Sequence, residues 1–195
     1  KVAADYELAP DHLVQIAIGD AACGTMLADH PDVAIVSATG SVRMGQDVGE
    51  RGQRRFGRPV LELGGNNAAI IAPSADIGLA LRGTIFAATG TCGQRCTTLR
   101  RLIVHEDIRA DFVKRLVAAV GSLNIGSPLD DATHVGPLID KAAFDAMQRA
   151  LEQARRDGGI VHGGDRIEIE GSDAYYVRPA IVEMPAQSDI VREET

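Results

Sequence analysis

An α/β fold of parallel β-α units is predicted here from the rhythm of the chain. Short apolar runs alternate with longer helical stretches in a strand, helix, strand, helix rhythm. A composition of 45% hydrophobic and 24% charged residues is that of an ordinary globular protein, with nothing that suggests disorder. The 195 residues suffice for one domain or parts of two.

The elements follow in order. Residues 1–9 read as the tail of a helix ended by Pro10, and Leu13–Ile18 as a buried strand closed by Gly19-Asp20. Asp20 is a candidate N-cap for a small-residue helix reaching His30, where Pro31 stops it; His30 takes a surface role. Val33–Ser37 is a second buried strand, followed by a turn through Thr39-Gly40-Ser41 and Gly45 into a helix that runs to about Arg55. A glycine turn that feeds a helix N-terminus offers backbone amides to an anion, although Gly40 to Gly45 is not a G-x-G-x-x-G; a phosphate site and a plain strand-to-helix turn both stand. Pro59–Leu63 is a strand carrying Glu62, Asn67–Ala72 another, and Ile77–Thr89 a helix leading to Gly90-Thr91-Cys92-Gly93-Gln94-Arg95-Cys96-Thr97-Thr98.

After that loop come a strand over Arg101–Val104 and an amphipathic helix burying Ile108, Phe112, Val113, Leu116, Val117 and Val120. Residues 124–138 form a loop in which His134 is solvated. Phe144, Met147, Leu151 and Ala154 mark a core helix stopped by Gly158-Gly159. From Ile160 the chain reads as sheet, with turns at Gly163-Gly164 and Gly171-Ser172-Asp173 and with Glu168 and Glu170 on a wet face.

A net charge of −7 and a pI near 5.2, with arginines 51, 54, 55 and 58 interrupted by glycine and glutamine, argue against a nucleic-acid partner. No apolar run approaches the roughly 20 residues of a membrane helix and no signal-peptide pattern opens the chain, so no membrane partner is expected. The three cysteines cannot all pair and form no zinc pattern, so no metal is expected and a cytoplasmic setting with free thiols fits. The start without methionine and the stop at Thr195 after an acidic pair read as an internal piece of a longer chain.

Two residues carry the chemistry. Cys96, flanked by Gln94, Thr97 and Thr98, suits a thiol that reacts rather than one that fills a core. Glu62 is a lone carboxylate in an apolar strand before Gly64-Gly65; desolvation there would lift its pKa towards the range of a general base. A thiol nucleophile and a base carboxylate are the minimum for covalent acyl chemistry. Cys23 reads as a small buried hydrophobe, and Cys92 as a packed neighbour or a resolving thiol. A Cys and a Glu that never meet remain the plain alternative.

Leu61-Glu62-Leu63-Gly64-Gly65 together with Gly93-Gln94-Arg95-Cys96-Thr97 resembles the aldehyde dehydrogenase superfamily. Glu62-Leu63-Gly64-Gly65-Asn66-Asn67-Ala68 and Cys96-Thr97-Thr98 resemble most its antiquitin-type branch, the α-aminoadipic semialdehyde (piperideine-6-carboxylate) dehydrogenases. The resemblance implies the second half of a Rossmann-like NAD-binding domain over residues 1–62, then most of an α/β catalytic domain over 63–195. It implies oxidation of an aldehyde, here a semialdehyde, to a carboxylic acid: Cys96 forms a thiohemiacetal and then a thioester, its backbone N–H steadies the oxyanion, and Glu62 activates the hydrolytic water. An asparagine that completes the oxyanion hole is implied upstream of Lys1. NAD is the implied cofactor, with NADP left open. Gly40, Ser41 and Gly45 are implied on its phosphates, the Leu63 main chain on the nicotinamide carboxamide, and Glu194 of Glu193-Glu194 on the nicotinamide ribose. A homo-oligomer, dimer or tetramer, is implied for the full-length protein. The other expectation is a truncated, non-catalytic fragment that does not bind cofactor.

Overall fold

The computed structural model describes residues 12–195, so the helix tail expected over residues 1–9 lies outside the described residues. The chain divides into two compact units, the second beginning at Gly64.

In the first unit Asp20 caps α1 (Ala21–Asp29) by accepting the Ala22 N–H at 2.9 Å. Strands β1 (Ile35–Gly40) and β2 (Arg58–Leu63) pair in parallel, Ile35 opposite Arg58 through Gly40 opposite Leu63, and helix α2 (Val42–Arg54) joins them. Ser41 caps α2 by accepting the Met44 N–H at 3.2 Å. The β-α rhythm of the sequence thus becomes a β-α-β crossover, as parallel strands require.

Three glycines on one face of α2 let it lie close on β2. A Cβ on Gly45 would run into the Leu63 side chain, one on Gly52 would meet Pro59 at 3.3 Å, and one on Gly49 would touch Leu61 at 3.6 Å. Strand side chains alternate, so Pro59, Leu61 and Leu63 point at the helix while Val60 and Glu62 point away and are exposed. α1 is tied on by Arg55 Nε, which donates to the Ala28 carbonyl at 2.8 Å, and by Arg51, which spans Asp29 and Asp47.

Two expectations are corrected in this unit. Leu13–Ile18 forms no strand: the segment is irregular, with Ile16 and Ile18 87% and 95% exposed. An apolar run becomes a strand only with a neighbour for its N–H and C=O groups, and among the described residues β1 and β2 make the whole ladder of this unit. The strand expected at Val33–Ser37 lies two residues further on and is buried on one face only, because α2 covers Val36 and Ala38 while Ile35 and Thr39 stay exposed.

In the second unit β3 (Asn67–Ile71) and β4 (Leu99–Val104) are also parallel, joined by α3 (Ile77–Thr89) and a 3-10 turn at Gly90–Gly93. Asp76 caps α3 through the Leu79 N–H. Helix α4 (Glu106–Gly121) buries Phe112, Leu116 and Val120 with Ile71, the heart of the core. Helix α5 (Lys141–Arg156) is capped by Asp140 and stops where Gly158 turns left-handed at φ 85°. Leu151 and Ala154 are buried, as the core stripe predicts.

Strands β5 (Ile160–His162) and β8 (Ile181–Glu183) pair antiparallel, as do β6 (Arg166–Ile169) and β7 (Ser172–Val177). Glu168 and Glu170 are exposed, and so is His134, whose Nδ1 accepts the Asn124 N–H. A short α6 (Asp189–Arg192) precedes Glu193-Glu194. No helix among the described residues is long and apolar enough to cross a membrane.

Phe112 is 1% exposed at the centre of the second core. Phe112→Ala is expected to destabilise that unit by about 3–5 kcal/mol, read as a lowered denaturant midpoint at unchanged slope.

Candidate active site

Cys96 stands at the tip of a β-turn. The Thr98 N–H donates to the Arg95 carbonyl at 3.0 Å, and Thr98 Oγ1 takes the Arg95 N–H at 3.1 Å. That i to i+3 closure puts Cys96 and Thr97 at the two central positions, and both are exposed while Thr98 is buried. Asn67, the first residue of β3, reaches the turn from the side: its Nδ2 donates to the Cys96 carbonyl at 2.6 Å and to the Thr98 carbonyl at 3.0 Å. Among the described residues no acceptor meets the Cys96 or Thr97 N–H.

The approach to the turn is unusual backbone. Thr91 and Cys92 are left-handed, at φ 55° and 53°, ahead of Gly93 at 73°. Such residues cost roughly 1–3 kcal/mol each unless their surroundings hold them. Gln94 does the holding: its amide donates to the carbonyls of Thr91 and Pro137 at 3.2 and 3.3 Å and accepts the Ile139 N–H at 2.8 Å. Cys92, half-buried, has its thiol pKa pushed up by burial, which matches the packed-neighbour reading. Cys23 is half-buried too.

Two guanidinium groups flank the turn. Arg95 lies over the Phe86 ring, 5.5 Å from its centroid. Arg100 donates to the Gly65 carbonyl at 3.2 Å, to the Thr195 carbonyl at 2.8 Å and to Glu194 Oε1 at 3.0 Å. Glu194 leans over the glycine pair, so that a Cβ on Gly64 would collide with its carboxylate. Asn66 adds a bond from Nδ2 to the Val191 carbonyl at 2.9 Å. Arg100 also reaches the Arg95 carbonyl of the thiol turn at 3.5 Å, so the turn and Glu194 share one guanidinium. A groove of about 960 Å³ lies behind the turn, lined by Cys92, Thr98, Met147, Leu151 and Glu194 but not by Cys96.

The remaining sequence-predicted residues belong to the first unit. Gly40, Ser41 and Leu63 gather at the C-terminal ends of the parallel strands, Gly40 opposite Leu63. Gly45 is buried against the Leu63 side chain. Glu62, expected in an apolar burial site, is exposed on the face of β2 away from α2. The cause is the alternation that sends its neighbours Leu61 and Leu63 to the helix.

Asn67, Gln94 and Arg100 carry the geometry of the thiol turn and are not among the residues that the sequence marks as a site. For Asn67 and Gln94 the signal is position alone, as polar side chains inside Gly64-Gly65-Asn66-Asn67 and Gly93-Gln94-Arg95-Cys96; Arg100, inside the following strand, carries none.

Alpha-aminoadipic semialdehyde dehydrogenase of Mus musculus is 41% identical over 190 residues, covering 96% of this chain and 35% of that protein. Aldehyde dehydrogenase family 7 member A1 of Malus domestica is 42% identical over 177 residues, covering 90% and 34%. Among solved structures, the NAD+ complex of an aldehyde dehydrogenase from Bacillus cereus superposes with TM-score 0.82 at 28% identity, over 88% of this chain and 35% of that one. Lactaldehyde dehydrogenase from Escherichia coli gives 0.80 at 32% identity, over 86% and 35%. The chain spans about a third of the length of these relatives. The model of the aldehyde dehydrogenase family matches residues 2–195, and the chain belongs to that family.

Proposed function

We propose that this chain supplies the nucleophile and the hydrolytic base of an NAD(P)-dependent oxidation of an aldehyde, a semialdehyde by kinship, to a carboxylic acid. The observation that carries the proposal is the exposed Cys96 at the tip of a turn whose Arg95, Cys96 and Thr98 carbonyls are each engaged by a protein donor. A thiol held this way can meet a carbonyl carbon without first breaking protein contacts. The semialdehyde rests on the name of the Mus musculus relative.

In this reading the Cys96 thiolate adds to the aldehyde carbon and forms the carbon–sulfur bond of a thiohemiacetal, with charge gathering on the carbonyl oxygen. The Cys96 N–H is the chain's own donor to that oxygen. Oxidation leaves a thioester on Cys96, and Glu62 takes a proton from the water that cleaves it, releasing the acid and the thiol. Exposure keeps the Glu62 carboxylate in contact with water, the reactant it has to activate.

The residues present fit a dinucleotide. Thr39-Gly40-Ser41 lies exposed at the head of α2, where the first helical amides have no partner within the helix and suit a phosphate. Gly45 serves this turn by letting α2 approach β2. The Leu63 main chain, beside Gly40, would face the carboxamide, and Glu194, held by Arg100, the ribose. A bound nicotinamide supplies the two-electron acceptor that no side chain offers. A homo-oligomeric full-length protein and a reducing, cytoplasmic setting for the three free cysteines complete the reading.

A second reading, in which this 195-residue chain alone is catalytically silent, is favoured by its span of about a third of its relatives. Titration with NAD+ separates the two: the silent reading expects no fluorescence change on the isolated chain beside activity of the full-length protein, and tight binding by the isolated chain rejects it.

In the full-length protein Cys96→Ser is expected to abolish aldehyde oxidation and to remove the site of iodoacetamide labelling near neutral pH. Burial raises the Cys92 pKa, so its labelling belongs to more alkaline solution; dominant labelling of Cys92 at neutral pH would transfer the nucleophile to that residue. Glu62→Gln is expected to keep a first-turnover burst of reduced nicotinamide while slowing steady turnover by roughly 10²–10⁴-fold. Loss of the burst would show that Glu62 acts before the thioester forms.

A further inference from the structure

Asn67 belongs to β3, yet both bonds of its side-chain nitrogen go to the thiol turn. Two carbonyl oxygens, of Cys96 and of Thr98, lie within reach of one amide, which identifies the facing atom as the nitrogen. A trans peptide is planar and its C=O and N–H point opposite ways. Holding the Cys96 carbonyl on the Asn67 side therefore turns the Thr97 N–H away from it. The Thr98 N–H holds the Arg95 carbonyl in the same manner and turns the Cys96 N–H away. The result is a turn whose Arg95, Cys96 and Thr98 carbonyls are engaged, with two successive N–H donors at its tip that meet no protein acceptor among the described residues.

We infer that Asn67 is the positioning residue of the acyl-transfer step: by holding the Cys96 and Thr98 carbonyls it fixes the tip on which the sulfur and the donors to the oxyanion are presented together. The inference rests on the reading of Cys96 as the acyl-forming nucleophile. It separates two properties of the thiol. Reaction at a saturated carbon needs only an accessible thiolate, whereas reaction at a carbonyl also needs the N–H donors to be aimed.

Two reagents tell these apart without any cofactor. Iodoacetamide forms a carbon–sulfur bond and expels iodide, with no oxyanion. p-Nitrophenyl acetate is attacked at its carbonyl by the Cys96 thiolate, whose proton has gone to solvent. Charge gathers on the carbonyl oxygen, and the carbon–oxygen bond then breaks to release p-nitrophenolate and leave an S-acetyl thioester. In the full-length protein the burst of nitrophenolate and the rate of Cys96 alkylation are measured for wild type, Asn67→Asp and Asn67→Ala. Asn67→Asp keeps the shape and removes the donor. Both variants are expected to slow acylation roughly 10- to 100-fold while alkylation changes by less than about threefold, since misaimed oxyanion donors penalise only the first reaction. An equal fall in both rates, a structural effect, overturns the inference, and so does an unchanged acylation rate. A wild-type burst no larger than that of Cys96→Ser overturns the reading of Cys96 itself, and the inference with it.

Discussion

Three backbone carbonyls of the thiol turn are each given a protein donor, and the groups that supply those donors shape what surrounds the turn. The Arg95 carbonyl takes the Thr98 N–H, while those of Cys96 and Thr98 share the amide of Asn67. Each such bond contributes about 1 kcal/mol net. The turn is therefore held in one orientation by several small contributions acting together. Arg100 extends the arrangement by joining the Gly65 carbonyl to the Glu194 carboxylate. Rigidity of this kind is what acyl chemistry demands, because the donors to a developing oxyanion have to be in place beforehand.

The first unit solves a different problem by a related economy. Its helix has to lie close enough to β2 to cover the strand, and Gly45, Gly49 and Gly52 remove the side chains that would hold it off. The helix then starts immediately after Gly40, at the end of β1 and beside Leu63.

What the chain revealed before its structure follows the range of the forces involved. Strands and helices with their own period, such as Ile77–Thr89 and the Phe112, Leu116, Val120 stripe, were legible because the pattern is local. Asp20 as the start of a helix and Gly158 as the end of one were legible for the same reason. Leu13–Ile18 misled, since apolar content states a preference for burial and says nothing of a partner strand. The exposure of Glu62 was present in the alternation of Pro59, Leu61 and Leu63, but the apolar character of the strand outweighed it. Asn67 and Gln94 were out of reach in a stronger sense. An amide that crosses from one segment to another leaves no periodic trace, and its acceptors are backbone groups that every residue carries.

The two cysteines of the loop show why the left-handed residues before the turn are worth their cost. Cys92 and Cys96 lie on the same short connection, and an uninterrupted helix from α3 would leave both on one face, because residues four apart are neighbours there. The reversal at Thr91 and Cys92 breaks that relation and turns Cys92 inward, where burial raises its pKa and keeps it protonated. Cys96 is carried on to the exposed tip. Gln94, bonded to Thr91 on one side and to the Pro137 and Ile139 backbone on the other, keeps the reversal from relaxing. One thiol is thereby turned inward and the other carried to the surface by a backbone reversal that neutral amide side chains hold in place.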